Sequence, residues 1–587
     1  MNRQTVRHVV ARALLVLAAA TPLAAQAAPE PIVPETLALG DALRSTVGAK
    51  RIPAMRFGDV SDVRATLKGL YEAAAWQPLW LDEAGVPTPA ARALIARLAG
   101  LDQHGLDPED YDAALHQHVV ARLDSRDPAF VPVGRAEFDA RLTADALRYL
   151  GAMRHGRVRL KWMDSLAIER SFITVRRAPL DSLAERVTDL RVAQDPEAVL
   201  VRAEDRGPAY RQLQASFADY RTRAAHTASL TLPRLPTRLA PGGHWTGAPA
   251  LRALLVSTGD LSDTMPAPLR EADTLYTPEL VAAVKRFQHR EGLAADGVIA
   301  AKTADRLAKP FQTPVRALTL ALERWRSLPD PPTDSVFVEV NIPEFRLRVR
   351  DPAQDTTLVA MNVVVGGKGR NETPELASKI DMIVFSPSWR IPPRILREEI
   401  IPKVLVDTNY LTKQGMELVR DGKVVEATFD NVAQIGDSVG VRQRSGGFNA
   451  LGKVKFIFPN AYGVYLHDTP TRSTFRRAQR AESHGCVRLE DATTLATWLL
   501  RDDGTWDQGR MKVAMKSLEP VDVDLPTTVP VRLVYQTAAL DTGGVLQFHP
   551  DVYGRDRYLE QALRTGYPFP AKATPLQHLQ RSAPKKN

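Results

Sequence analysis

The sequence predicts a multidomain α+β protein: an N-terminal helical scaffold, a small three-helix unit, and a mainly β C-terminal sandwich with a helical cap insertion. Three observations predict it. The 587 residues exceed what a single hydrophobic core supports, so three or more domains are expected. Apolar residues recur at helical spacing in the first half, and β-rich runs take over in the second. Two Pro-containing stretches, Leu232 to Gly247 and Pro329-Asp330-Pro331-Pro332, punctuate the chain near those changes. The composition, 44% hydrophobic and 25% charged, is that of an ordinary globular protein. The formal net charge of +9 suits a polyanionic neighbourhood such as a cell wall or membrane surface, but it also reflects an Arg-rich chain.

The N-terminal residues have the form of an export signal. Arg3, Arg7 and Arg12 precede the apolar run Ala13 to Ala20, followed by Pro22 and the small-residue site Ala25-Gln26-Ala27. Residues 1–27 therefore read as a cleavable signal peptide and the mature protein as periplasmic. The competing reading is an uncleaved anchor. No cysteine follows the run for lipid attachment, and no later stretch approaches the roughly 18 apolar residues of a membrane span.

Residues 28–240 form the expected scaffold. In its most regular helix Phe138, Leu142, Ala146, Tyr149 and Met153 share one face, and Tyr71 to Trp80 reads as a helix end entering a core turn. Over 241–310, Leu251, Leu254 and Leu255 form one apolar face and Leu280, Val284 and Phe287 another, with Thr277-Pro278-Glu279 as cap and first turn. The run Val284-Lys285-Arg286-Phe287-Gln288, then Gly292-Leu293 and Asp296-Gly297-Val298, resembles the three-helix peptidoglycan-binding domain. From 334 to 520, Val336 to Val340 and Phe345 to Val349 form a hairpin signal. Met361 to Val365, Met382 to Phe385, Lys455 to Phe458 and Val464 to Leu466 supply further strands. The polar stretch of about 394–440 reads as the helical insertion. Residues 521–587 read as one more strand, Val531 to Tyr535, and a frayed tail.

The chemistry concentrates in two short runs, Tyr465-Leu466-His467-Asp468 and Ser483-His484-Gly485-Cys486-Val487-Arg488. Cys486 is the only cysteine, so it cannot form an internal disulfide; it is either a bystander or a reactive thiol. A cysteine nucleophile needs a base, a group to orient the base, amide donors for the oxyanion, and access. His467 ends a strand and can project into a cleft. Gly485 lets the backbone approach a carbonyl, so the amides of Gly485 and Cys486 are natural oxyanion donors. Arg488 shares a face with Cys486 on an extended chain, where it can depress the thiol pKa or hold a carboxylate. His484 is a rival base two residues from the thiol. The potential ligands His467, Asp468, His484 and Cys486 match no usual zinc spacing, so no metal is assigned.

A strand-end His, a loop, and Ser-His-Gly-Cys-Val-Arg resemble the signature of the L,D-transpeptidases with a YkuD-type catalytic domain. Ser386 to Pro393, Phe448 to Gly452 and His467-Asp468-Thr469-Pro470 resemble its large YcbB-like subgroup, and the likeness spans nearly the whole mature chain. The resemblance implies a 3→3 crosslinking acyl transfer. Cys486 would be the nucleophile and His467 the base, steadied by a backbone carbonyl at Asp468. His484 and Ser483 would shape the pocket beside Gly485. Arg488, Tyr465 and Trp389 are candidate substrate contacts, and the basic loop of Arg472, Arg476, Arg477 and Arg480 reads as a solvated face. The partners implied are peptidoglycan stem peptides and cell-wall synthesis proteins, with no cofactor, stable membrane anchor or nucleic acid. Two alternatives use the same sequence: a peptidoglycan L,D-carboxypeptidase or hydrolase with water as acceptor, and a non-catalytic wall-binding protein.

Overall fold

The computed structural model describes residues 35–126, 132–157, 180–226, 232–262, 274–309, 311–328, 332, 334–407, 409–541 and 543–564. The expected signal peptide and the end of the expected tail lie outside the described residues. Among those described, no helix is long and apolar enough to cross a membrane.

The scaffold is helical and built around the helix Pro132–His155. That helix is polar for a buried one because it carries the groups that close neighbouring loops. The Asp139 carboxylate is fully buried and accepts the backbone N–H groups of Leu79 and Trp80 and the Tyr71 hydroxyl, at 2.6 to 2.9 Å. Tyr71 and Trp80 are themselves wholly buried, which is the core turn the sequence suggested. In the three-helix unit, helices Ala248–Ser257, Pro278–Arg290 and Ala301–Leu307 enclose one apolar cluster. Thr277 caps the second helix through Leu280 N, and buried Gln288 bonds Asp296, Val298 O, Thr303 and Gly297 N.

The C-terminal strands are β1 (Phe337–Asn341), β2 (Arg346–Asp351), β3 (Thr356–Gly366), β4 (Leu376–Phe385), β5 (Trp389–Arg390), β6 (Met416–Arg420), β7 (Lys423–Val425) and β8 (Gly440–Gln443). There follow β9 (Val454–Ile457), β10 (Leu466–His467), β11 (Ala481–Ser483), β12 (Val487–Leu489), β13 (Val521–Val534), β14 (Ala538–Leu540) and β15 (Leu546–Phe548). The principal sheet runs β11-β3-β12-β10-β9-β4-β13-β1-β2, and β2 pairs again with β3. The expected sandwich is thus one ladder closed on itself. Closure is possible because the 11-residue β3 is long enough to pair β2 and β12 as well as β11. Alternate residues of these strands, among them Val363, Phe456, Leu466 and Val487, fill the core.

Two boundaries differ from expectation. Residues from Val521 do not stand apart: β13 lies between β4 and β1, parallel to β1, well inside the sheet. Pro526 and Pro530 hide this continuity in sequence, since proline donates no ladder bond; the register shifts between Asp524 and Val529 accommodate the interruption. The insertion is also more than helical. It has its own sheet, β5-β8-β6-β7, and its own apolar cluster including Ile395, Leu418 and Val441. Its β6–β7 hairpin turns on Asp421-Gly422, both with positive φ, a turn signal of the kind that closes two-residue hairpins.

Candidate active site

Strand register places the site. Across the sheet, Arg488 of β12 pairs His467 of β10, which pairs Lys455 of β9. Cys486 precedes Arg488 by two residues, and Tyr465 precedes His467 by two, so all five side chains share one face. The opposite face is the apolar core. Gly485 has φ 115°, a conformation that favours glycine, and lets the chain turn into β12 with Cys486 presented at its start. Its carbonyl accepts the Thr373 hydroxyl at 2.8 Å.

His467 is 5% exposed, and its Nδ1–H donates to the Asp468 carbonyl at 2.6 Å, leaving Nε2 as the basic nitrogen. Burial, with the positive charges of Arg488 and Lys455, lowers its pKa to about 3 against the pull of the Asp468 and Leu451 carbonyls. Burial pushes the Cys486 thiol up. The Tyr465 hydroxyl and backbone, then Lys455 and Arg488, pull it back down. Both directions favour a resting pair of neutral thiol and neutral imidazole. The Asp468 carboxylate instead accepts the Lys453 backbone N–H at 2.8 Å and the Arg472 guanidinium Nη2 at 2.5 Å. Gly452 must be glycine beside it: its φ is 63°, and a Cβ there would overlap that carboxylate.

The structure gathers the other candidates around the thiol, with two changes of role. Ser483 Oγ accepts the Gly485 N–H at 3.2 Å and donates to the Cys486 carbonyl at 2.5 Å. The Gly485 amide is therefore occupied within its own turn, because a serine two residues earlier folds back onto it. His484 faces away from the base position and meets Glu399 Oε1 of the insertion at 2.5 Å. Trp389, on the first strand of the insertion, hydrogen-bonds the Tyr465 hydroxyl, so the insertion reaches the site directly. The basic loop is largely structural. Arg472 holds Asp468 and the Glu490 carbonyl, Arg477 pairs Glu482, and Arg480 holds the Phe345 and Val363 carbonyls.

Lys455 is the site residue that motif reading misses. Its signal was available in the alternation Lys453-Val454-Lys455-Phe456, which sets Lys455 opposite the core-facing Phe456. Thr373 is a second, since nothing in its local sequence announces a contact 112 residues away. Among the described residues no group of three or more His, Cys, Asp and Glu stands where it would hold a metal ion.

Three family models match the chain: the L,D-transpeptidase catalytic domain over 335–523, a scaffold domain over 65–216, and a "Putative peptidoglycan binding domain" over 250–307. A "Putative L,D-transpeptidase" of Haemophilus influenzae is 34% identical over 247 residues, 42% of this chain and 49% of that protein. The chain thus spans about half the length of the curated relative it matches. A solved structure titled "Structure of the Ldtfm-avibactam carbamoyl enzyme" aligns at 10% identity and TM-score 0.15, over 38% of this chain and 62% of that one. A likeness that low carries no argument.

Proposed function

Because the chain belongs to the L,D-transpeptidase family, joining a YkuD-type catalytic domain to scaffold and peptidoglycan-binding domains, we propose that it forms 3→3 peptidoglycan crosslinks by acyl transfer on Cys486. The observation that carries this reading is a lone cysteine sharing a sheet face with a buried imidazole whose Nδ1 is fixed by a carbonyl. The thiol proton passes to His467 Nε2 as Sγ attacks the carbonyl between the third residue, a diamino acid, and the terminal D-alanine of a tetrapeptide stem. The Cys486 amide is one donor for the tetrahedral oxyanion, and the Tyr465 hydroxyl becomes the second once C–S bond formation removes the charge from the sulfur it faces. The D-alanine amine leaves with the proton, and a thioester remains. The side-chain amine of a second stem then attacks the thioester, yields a proton to His467, and the thiol is restored. One amide is exchanged for another, so neither cofactor nor water is consumed.

Arg488 is suited to a stem carboxylate, and Trp389 and Tyr465 to its aliphatic portion. The reading puts the protein at the wall, outside the cytoplasm, with the three-helix unit holding polymer near the cleft. Mass spectrometry of purified protein with disaccharide-tetrapeptide, beside Cys486→Ala, tests it. Loss of D-alanine with a 3→3 dimer is expected, and neither product in the variant. Tripeptide without dimer would make the enzyme a carboxypeptidase, and identical turnover in the variant would remove Cys486 from the chemistry.

A further inference from the structure

A lysine at the edge of a desolvated site requires compensation. Lys455 Nζ lies 4.1 Å from the centroid of the Tyr465 ring, in cation–π contact, on the same face as Cys486. Among the described residues no carboxylate lies within ion-pair distance of it. The nearest opposing acid along the sheet is Asp522, which pairs Val384, which pairs Lys455. Two strand spacings put their backbones roughly 10 Å apart, and Asp522 acts on the ammonium across that gap without forming an ion pair with it. The other charged and titratable groups facing this place are Cys486, Arg488, His467 and Tyr465, with Glu482 beyond Arg488. None of the neighbours in contact is an anion unless Cys486 ionises.

We propose that Lys455 is a positioning residue for the nucleophile: its ammonium, held under the Tyr465 ring, stabilises the Cys486 thiolate and keeps the His467 ring neutral. The aromatic ring makes the arrangement work twice. Its face attracts the cation, and its hydroxyl faces the sulfur and favours the thiolate, so one side chain serves both partners. Arg488 supplies a second positive charge from the other side, which leaves that guanidinium available to substrate while Lys455 serves the thiol. Strand β9 is a rigid element packed between β4 and β10, so the ammonium is carried on structure that does not move with the insertion. This inference deepens the reading of Cys486 as nucleophile and depends on it.

The test needs no stem peptide. The rate of iodoacetamide alkylation of Cys486, the chain's only cysteine, is measured against pH in the full-length protein and in Lys455→Met and Lys455→Arg. The midpoint in Lys455→Met is expected to rise by about one pH unit, with alkylation at pH 7 about tenfold slower. In Lys455→Arg it is expected to stay close to the parent, since the charge is retained. An unchanged midpoint in Lys455→Met overturns the proposal, and so does a Lys455→Arg midpoint displaced as far as that of Lys455→Met. Should Lys455→Met fail to give a cooperative melt, Lys455→Gln is read by the same criteria. A changed midpoint in a protein that makes no crosslink would sink the transpeptidase reading and leave this one standing.

Discussion

At the scale of the residue, His467 is an imidazole held neutral by its surroundings. Burial and two cations lower its pKa to about 3, against 6.5 for a free imidazole. Two consequences have definite signs. In kcat/KM against pH, no inflection from imidazole protonation is expected between pH 5 and 7.5, because the ring has already lost its proton throughout. In stability, the unfolded chain binds a proton below about pH 6.5 that the folded ring refuses. The contribution of His467 is therefore fully present above that pH and is lost as pH falls toward 3. Urea unfolding at pH 7.5 and pH 5 measures it in the parent and in His467→Gln. The parent should lose about 2 kcal/mol more than the variant between the two conditions, at roughly 1.4 kcal/mol per unit. Equal losses would mean that the folded ring takes up the proton.

At the scale of the element, the insertion is tied to the site by few and polar contacts. Its first helix, from Pro393 to Val406, contains a π-helical turn over Leu396–Ile400, just ahead of Pro402, whose missing N–H removes an interior helix bond. From this segment Glu399 meets His484, Arg394 donates to Asn371 at 2.5 Å, and Glu398 lies 3.8 Å from Arg370. These partners sit on the loops that flank Cys486, so the helix is a latched cover. With Glu399→Gln the latch loses its charge, and amides over 396–406 should exchange several-fold faster while the β9 and β10 amides are unchanged. Hydrogen exchange read by mass spectrometry resolves the two sets. Equal rates in parent and variant would show that the insertion is held by packing alone. The sequence announced this element only in part. Its helical half was legible from its polar composition, but β5 and β7 are two and three residues long, below the length at which alternation can be read. The site was more legible than the fold around it. His467 and Cys486 stand out because a strand end and a glycine turn are local signals, whereas Lys455 and Thr373 reach the site through ladder pairing and a long-range contact.

At the scale of the whole molecule, the chain's last described segment supports the turn that presents Cys486. The helix Gln312–Ser327 packs against Pro208–His226 and the β14–β15 hairpin in one apolar cluster that includes Tyr210, Phe217, Leu322, Leu546 and Phe548. Fully buried Arg326 bonds the His104 carbonyl, the Tyr210 hydroxyl and Glu323 there, so scaffold and C-terminal unit share a core. Beyond the hairpin, Tyr553 donates to the Gly366 carbonyl at 2.8 Å and accepts Thr373 N at 3.1 Å, while Thr373 in turn holds the Gly485 carbonyl. Arg555 reinforces the same loop through Glu372 and Glu375. A sequence reading that ends the catalytic unit at residue 520 has no access to this, because the connection closes only when the sheet does. Tyr553→Phe tests whether the connection matters to chemistry. The substitution keeps the ring stacked on Tyr535, with centroids 5.5 Å apart, and removes only the hydroxyl. It leaves a buried N–H and a buried carbonyl short of a partner, at a cost of about 1–3 kcal/mol. If the tail positions the turn, kcat should fall several-fold with KM little changed, alongside the lower melting temperature. A variant that melts earlier yet turns over at the parental rate would make the tail a stabiliser of the sheet and nothing more. The two outcomes separate because Thr373 is one hydrogen bond from Gly485, so a displacement there reaches Cys486 before it reaches the core.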